Sequence, residues 1–187
     1  MQSTPSLCVA LNGPPGIGKD TLASALVSLF HFDAVDAVAN EIKRQAGDHF
    51  RIPDLLKLAT DRDTKDKIYG NSGYTPRNFV WAYSSRIQKK CGKDVFMKDM
   101  LRRLSNARAN TFLMTDLGLD PELPVLEDHF DRVIVVQLMH QDFGFSNDIR
   151  KFVFPKDKQN LIQLTTTRGD IDGDVQRILS ALRGRLL

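Results

Sequence analysis

Apolar residues gather along this chain in two ways, as short unbroken runs and as helical stripes, and the two alternate. The run Ser6-Leu7-Cys8-Val9-Ala10-Leu11-Asn12, apolar between its two end residues, suits a strand buried on both faces of a parallel sheet. Leu22-Ala23-Ser24-Ala25-Leu26-Val27 suits a helix that fades near Phe30-His31. Phe32 to Asp36 reads either as a short strand or as the start of a helix running to about Gly47. Residues 48–73 are polar and broken by Pro53, Gly70 and Gly73, with a helix expected over Asp54 to Lys67. Thr75-Pro76 is a helix N-cap followed by proline at the first helical position, and Phe79, Val80, Tyr83 and Ile87 follow at helical spacing as far as Cys91-Gly92.

A further helix is expected from about Asp94 to Ala109, with Phe96, Met97, Met100, Leu101 and Leu104 on one face. Three more strands are predicted. They are Thr111-Phe112-Leu113-Met114-Thr115 ending at Asp116, then Arg132 to Met139, and last Leu161-Ile162-Gln163-Leu164-Thr165. Pro121 to Phe130 suits a helix that Pro124 shortens or delays, and Asp174 to Leu186 suits a closing amphipathic helix. Strands alternating with helices imply a three-layer α/β/α fold around a parallel central sheet. The expected organisation is one domain: a core of residues 1–32 and 110–187, a helical segment of about 33–109, and a polar, basic stretch of about 140–158.

Composition narrows the classes. The chain has 187 residues, 42% hydrophobic and 26% charged, which is ordinary for a soluble globular domain able to bury a substantial core. A net charge of +3 is too small to argue for binding polymeric nucleic acid, and anionic small substrates suffice to explain it. No run reaches the length of a membrane span and the N-terminus shows no secretory pattern. Cys8 and Cys91 form no CxxC pair, so a reduced, cytoplasmic setting is expected. Oligomeric state is not legible, and a homodimer stays open.

The chemistry concentrates directly after the first strand. Gly13-Pro14-Pro15-Gly16-Ile17-Gly18-Lys19-Asp20-Thr21 has the spacing of a phosphate-binding loop between a strand and a helix. Its glycines let successive backbone N–H groups turn toward phosphate oxygens, and the helix that follows points its positive end at the same anion. Lys19 adds a cation that can follow charge onto a transferring phosphoryl group. The candidate phosphate-binding set is therefore Gly13, Pro14, Gly16, Ile17, Gly18, Lys19, Asp20 and Thr21. Asp20 stands one position before the hydroxyl of Thr21, and a helix-capping role is favoured over one orienting a magnesium-bound water.

Asp116, at the carboxyl edge of its strand, is a candidate to hold magnesium or its water shell together with Thr21. Arg77 lies at a helix start with Tyr74 just outside, placed for a bidentate grip on phosphate. Arg86, about two and a half turns further along, falls on the opposite side of that helix. Asp148-Ile149-Arg150-Lys151, with Lys156 and Lys158, reads either as a solvated face or as a lid that carries arginine to the phosphates. His129 and His140 are read as structural, and Trp81 as packed in the core.

In the same order along the chain, the phosphate loop, Thr75-Pro76-Arg77, Gly92-Lys93-Asp94-Val95-Phe96, Thr115-Asp116 and Asp148-Ile149-Arg150 resemble bacteriophage-type deoxynucleoside monophosphate kinases. The loop form Gly-Lys-x-Thr is also similar to that of adenylate-kinase-type enzymes. The resemblance implies a P-loop fold with a helical acceptor-binding segment and a lid, and ATP-dependent transfer of the γ-phosphoryl group to a deoxynucleoside monophosphate. It implies catalytic roles for Lys19, Asp116 and Arg150, magnesium, and an acceptor contact from Arg77, which otherwise reads as a surface salt bridge. Lys43 and Arg44 resemble a basic pair in the family's acceptor region and read equally as a solvated helix face, while Tyr74 and Arg86 are candidate acceptor contacts from their place at the Arg77 helix. Two departures from the family stand out. Leu117-Gly118 follows Thr115-Asp116, and His140 follows the next strand, where the family tends to carry arginine. The alternatives are a kinase of another small acceptor, of the dephospho-coenzyme A or phosphomevalonate type, and a non-catalytic ATP-binding module. A hydroxyl acceptor would call for a general base, for which Asp33 and Asp36 are the candidates.

Overall fold

A computed structural model describes residues 6–146 and 148–186. The chain divides into two compact units, one of residues 1–37 with 104–187 and one of residues 38–103.

The first unit holds the sheet. Strands β1 (Leu7–Asn12), β2 (Ala34–Asp36), β3 (Thr111–Leu117), β4 (Arg132–Met139) and β5 (Leu161–Thr165) lie in the order β2-β3-β1-β4-β5, and every pairing is parallel. β1 is central and buried at all six positions, as its unbroken apolar run requires. Helices α1 (Lys19–Leu29), α6 (Glu122–His129) and α7 (Ile171–Leu186) belong to this unit. Leu22 and Leu26 of α1 meet Ile178, Leu179 and Leu182 of α7 over Val9, Leu11, Ile134 and Val136. Parallel strands joined by helices bring the carboxyl ends of β1, β3 and β4 to one edge, where open α/β sheets bind ligands.

The second unit is helical, with α2 (Val38–Phe50), α3 (Leu55–Thr60), α4 (Pro76–Cys91) and most of α5 (Val95–Asn106). The N-cap of α4 is built as its sequence suggests. The Thr75 side chain accepts from the Asn78 N–H, Asn78 answers at the Thr75 N–H, and Pro76 occupies the first turn. Ala46, Ile52 and Leu55 form a small core, with Phe50, Phe79 and Tyr83 against it.

Several boundaries differ from the sequence reading. Residues 32–50 hold both alternatives, a three-residue strand and then a helix. The helix expected over Asp54 to Lys67 stops at Thr60. There the Asp61 carboxylate accepts from the Asp63 N–H, and the Thr64 hydroxyl donates to the Leu58 carbonyl. Short polar side chains that bond their own backbone end helices in this way. α7 begins at Ile171 rather than Asp174, because the Asp170 carboxylate accepts from the Gly173 N–H one turn earlier. Pro124 is accommodated as the third residue of α6, where its missing N–H has no intrahelical acceptor to lose. Trp81, expected to be packed, is 70% exposed on α4. No helix among the described residues is long and apolar enough to cross a membrane.

Candidate phosphate-binding site

The loop that leaves β1 is shaped by close approach and by backbone sign. A Cβ at Gly13 would stand 2.9 Å from the Leu138 carbonyl oxygen of β4, so only glycine passes there. Gly16 and Gly18 have φ of 80° and 94°, in the left-handed region that favours glycine. Gly18 is the N-cap of α1 and its carbonyl accepts from the Leu22 N–H. Ile17 turns inward into the core, leaving its backbone to the loop. Asp20, read above as a capping residue, does not cap, because the cap position belongs to Gly18; it lies exposed in the first turn of α1 beside Thr21. The ring of Phe143 lies over Gly16, where an added Cβ would meet it at 3.3 Å.

Lys19 folds back across the loop and donates to the carbonyls of Gly13 and Pro14 at 2.7 and 2.9 Å. Burial, reinforced by the Arg150 guanidinium, lowers its ammonium to about 8, against the attraction of Asp116, Asp20 and Asp148. Arg150, Asp116, Asp20 and Asp148 thus all lie within electrostatic reach of Lys19, and Arg150 within reach of Asp116. Arg150 is fixed by Asp148. Its Nε and Nη2 donate to the two carboxylate oxygens, its backbone N–H to Oδ1, and the Asp148 carboxyl is held down at about 2.

The segment carrying Arg150 is stitched to the strand ends. Buried Asn12, the last residue of β1, donates to the Leu117 and Lys151 carbonyls at 2.8 and 2.9 Å and accepts from the Val153 N–H at 3.0 Å. Gln137 of β4 donates to the Val153 carbonyl, and Lys151 N–H donates to the Gly118 carbonyl. Residue 147, inside the stretch read as a lid, lies outside the described residues. The departure at Leu117-Gly118 has a local reason. A Cβ at Gly118 would stand 2.7 to 2.9 Å from the Arg150 stem, so Arg150 rests where any larger residue at 118 would intrude.

Sequence reasoning missed Asn12 and Glu122 as parts of this site, and placed Asp148 in the arginine-bearing motif without giving it a role. Asn12 passes for a strand end, and Glu122 for an ordinary first-turn acid. Yet Glu122 is buried and its Oε2 accepts from the Gly118 and Leu119 N–H groups at 3.0 and 2.9 Å. Burial, with the Asp116 charge, pushes its carboxyl up to about 7.

The predicted acceptor residues lie in the second unit and have separate partners there. Arg77 is bidentate with Asp66 at 2.7 and 3.1 Å. Lys43 donates to the Thr60 hydroxyl, and Arg44 to Glu41, which also receives Arg103. The Tyr74 ring is exposed beside Phe79, and Arg86 is exposed on α4. Asp33, one of two general-base candidates, is committed elsewhere. Its carboxylate accepts from the Asn110 and Thr111 N–H groups and the Thr111 hydroxyl, at the amino end of β3 and away from the phosphate loop.

Among solved structures, an unliganded sugar kinase from Janibacter sp. is similar over 96% of this chain and 95% of its own, with TM-score 0.51 and 15% identity. This chain shares its fold. A dephospho-CoA kinase from Campylobacter jejuni (TM-score 0.49, 10% identity, 96% and 98% covered) and a shikimate kinase from Aquifex aeolicus (0.47, 16%, 96% and 98%) are more distant in shape and add nothing to that assignment. No protein-family model and no curated protein matches the chain.

Proposed function

We propose that this chain is an ATP-dependent phosphotransferase that moves the γ-phosphoryl group of ATP to a deoxynucleoside monophosphate, giving ADP and the diphosphate. One observation carries the reading. Lys19 is folded across a glycine-shaped loop at the start of α1, with Arg150 in electrostatic reach. Two cations and a helix N-terminus at one strand edge match the charge of a phosphoryl group in flight. The loop N–H groups hold the β-phosphate, Lys19 reaches toward the γ-phosphate, and Arg150 offsets charge as it builds.

The residues present fit magnesium. Asp116 and Thr21 offer one carboxylate and one hydroxyl, the sparse oxygen set magnesium takes when phosphates and water complete its shell. Among the described residues no denser His, Cys, Asp and Glu cluster competes for it. When bound, the ion neutralises phosphate charge. An acceptor phosphate is already ionised and needs no general base. Arg77 would exchange Asp66 for that phosphate, with Lys43, Arg44, Tyr74 and Arg86 as the other acceptor contacts.

A second reading, a small hydroxylated acceptor, is supported by Asp36. It is buried at the carboxyl end of β2, at the same sheet edge as the loop, with Oδ1 accepting from the adjacent Ala37 N–H. An acceptor screen with ATP and magnesium separates the readings. Acceptor-dependent ADP release with deoxynucleoside monophosphates is the expected result. Turnover with hydroxylated acceptors alone would move the assignment to the second reading, and ATP binding without acceptor-dependent release would make the chain a non-catalytic module.

A further inference from the structure

Arg150 is the one candidate catalytic group on an irregular segment, so something must set its place. Six contacts converge around it. The Gly118 α-carbon meets the Arg150 stem with no room for a methyl group. The Gly118 carbonyl accepts from the Lys151 N–H at 3.0 Å. Asn12 joins the carbonyls on either side, Leu117 and Lys151. The Gly118 and Leu119 N–H groups both end on one oxygen of Glu122, which is 5% exposed.

We infer that Glu122 is a positioning residue for Arg150, acting through the Gly118 peptide rather than by touching substrate. A carboxylate in this place is expensive to bury, and a structural core position would be served by an apolar residue. Its acceptor oxygen instead closes the turn after β3. That turn presents a flat, side-chain-free surface on which the Arg150 methylenes lie. Asp148 then fixes the guanidinium from the other side. Arg150 is thereby stationed by the protein alone, before any nucleotide arrives, and reorganises little when charge develops. Preorganisation of this kind works only if the supporting contacts hold to a fraction of an ångström. The catalytic consequence rests on the role proposed above for Arg150, whereas the positioning itself does not.

The test compares wild type with Glu122→Gln, which keeps an acceptor oxygen, and Glu122→Ala, which does not. Should the alanine variant fail to fold, Glu122→Met, of similar length and without an oxygen, replaces it. The first readout is the rate at which phenylglyoxal modifies Arg150, followed by mass spectrometry of the peptide that carries it. Labelling is expected to rise severalfold in the alanine or methionine variant and to stay near wild type in the glutamine variant. Equal labelling in all of them would overturn the proposal, as would glutamine behaving like alanine.

The second readout is kcat against KM. Glu122→Ala is expected to lower kcat more than it raises KM for ATP, and to add nothing to Arg150→Ala in the double variant. Additive losses would assign Glu122 a role independent of Arg150 and overturn the proposal. If wild type transfers no phosphoryl group at all, the proposed function has failed, and the labelling rates still decide the positioning.

Discussion

Lys19 carries its charge where charge is disfavoured. Its ammonium is partly buried and within electrostatic reach of Arg150, and among the described residues it donates to two loop carbonyls, so its pKa falls to about 8. A bound triphosphate would reverse this, since an adjacent anion favours the protonated form. The sign follows from linkage. Above about 8 the free amine has lost its proton, the complex keeps one, and binding must take a proton up. ATP affinity is therefore expected to fall as pH rises through that value. Calorimetry in two buffers of different ionisation enthalpy should show proton uptake at about pH 8.5 and almost none at about pH 6.5. Buffer-independent heats at both pH values would contradict this. The residues that set Lys19 in place were legible, because a loop spacing is a local signal. Asn12, Asp148 and Glu122 were not, because Asn12 acquires its role from partners 105 to 141 positions away, Glu122 from the turn after β3, and Asp148 from a local pairing with Arg150 that a mixed run of charges does not single out. Trp81 was misjudged because helical spacing marks a face without saying whether anything covers it.

At the level of elements, strands declared themselves where β-branched and apolar residues run unbroken, as in β4, and failed to where the strand is short. β2, three residues long, could not be told from a helix start. Helix ends were legible at Thr75, where cap and proline coincide, and illegible where an aspartate such as Asp170 caps from outside the amphipathic stripe. The join between β1 and the segment carrying Arg150 is one side chain thick. Asn12→Ala would strand the Leu117 and Lys151 carbonyls and the Val153 N–H, at a cost of at least about 2 kcal/mol for buried groups left unpaired. Denaturant unfolding checks the magnitude, and hydrogen exchange at the Val153 amide should quicken more than exchange within β4. Unchanged protection at Val153 would show that the segment is held by other means.

For the whole molecule, the parallel sheet with β1 at its centre brings the phosphate loop, the end of β3 and the Arg150 segment to one edge. The sequence order of strands and helices already implied this architecture, and similarity to a solved sugar kinase agrees with it. The proposed acceptor lies beyond that legibility, because its contacts would depend on side chains of residues 38–103 that periodicity places on helices without aiming them. The residues proposed to bind the donor all fall within the first unit, so that proposal can be tested without knowing the acceptor. The most direct measurement is a calorimetric titration of the folded chain with ATP, with and without magnesium, beside Lys19→Ala. Saturable binding by wild type is expected, weakened at least about tenfold in the variant, a loss of roughly 1.4 kcal/mol or more, with circular dichroism and melting temperature unimpaired. No heat of binding from well-folded wild-type protein, or equal affinity in the variant, would contradict a phosphate-binding role for the loop.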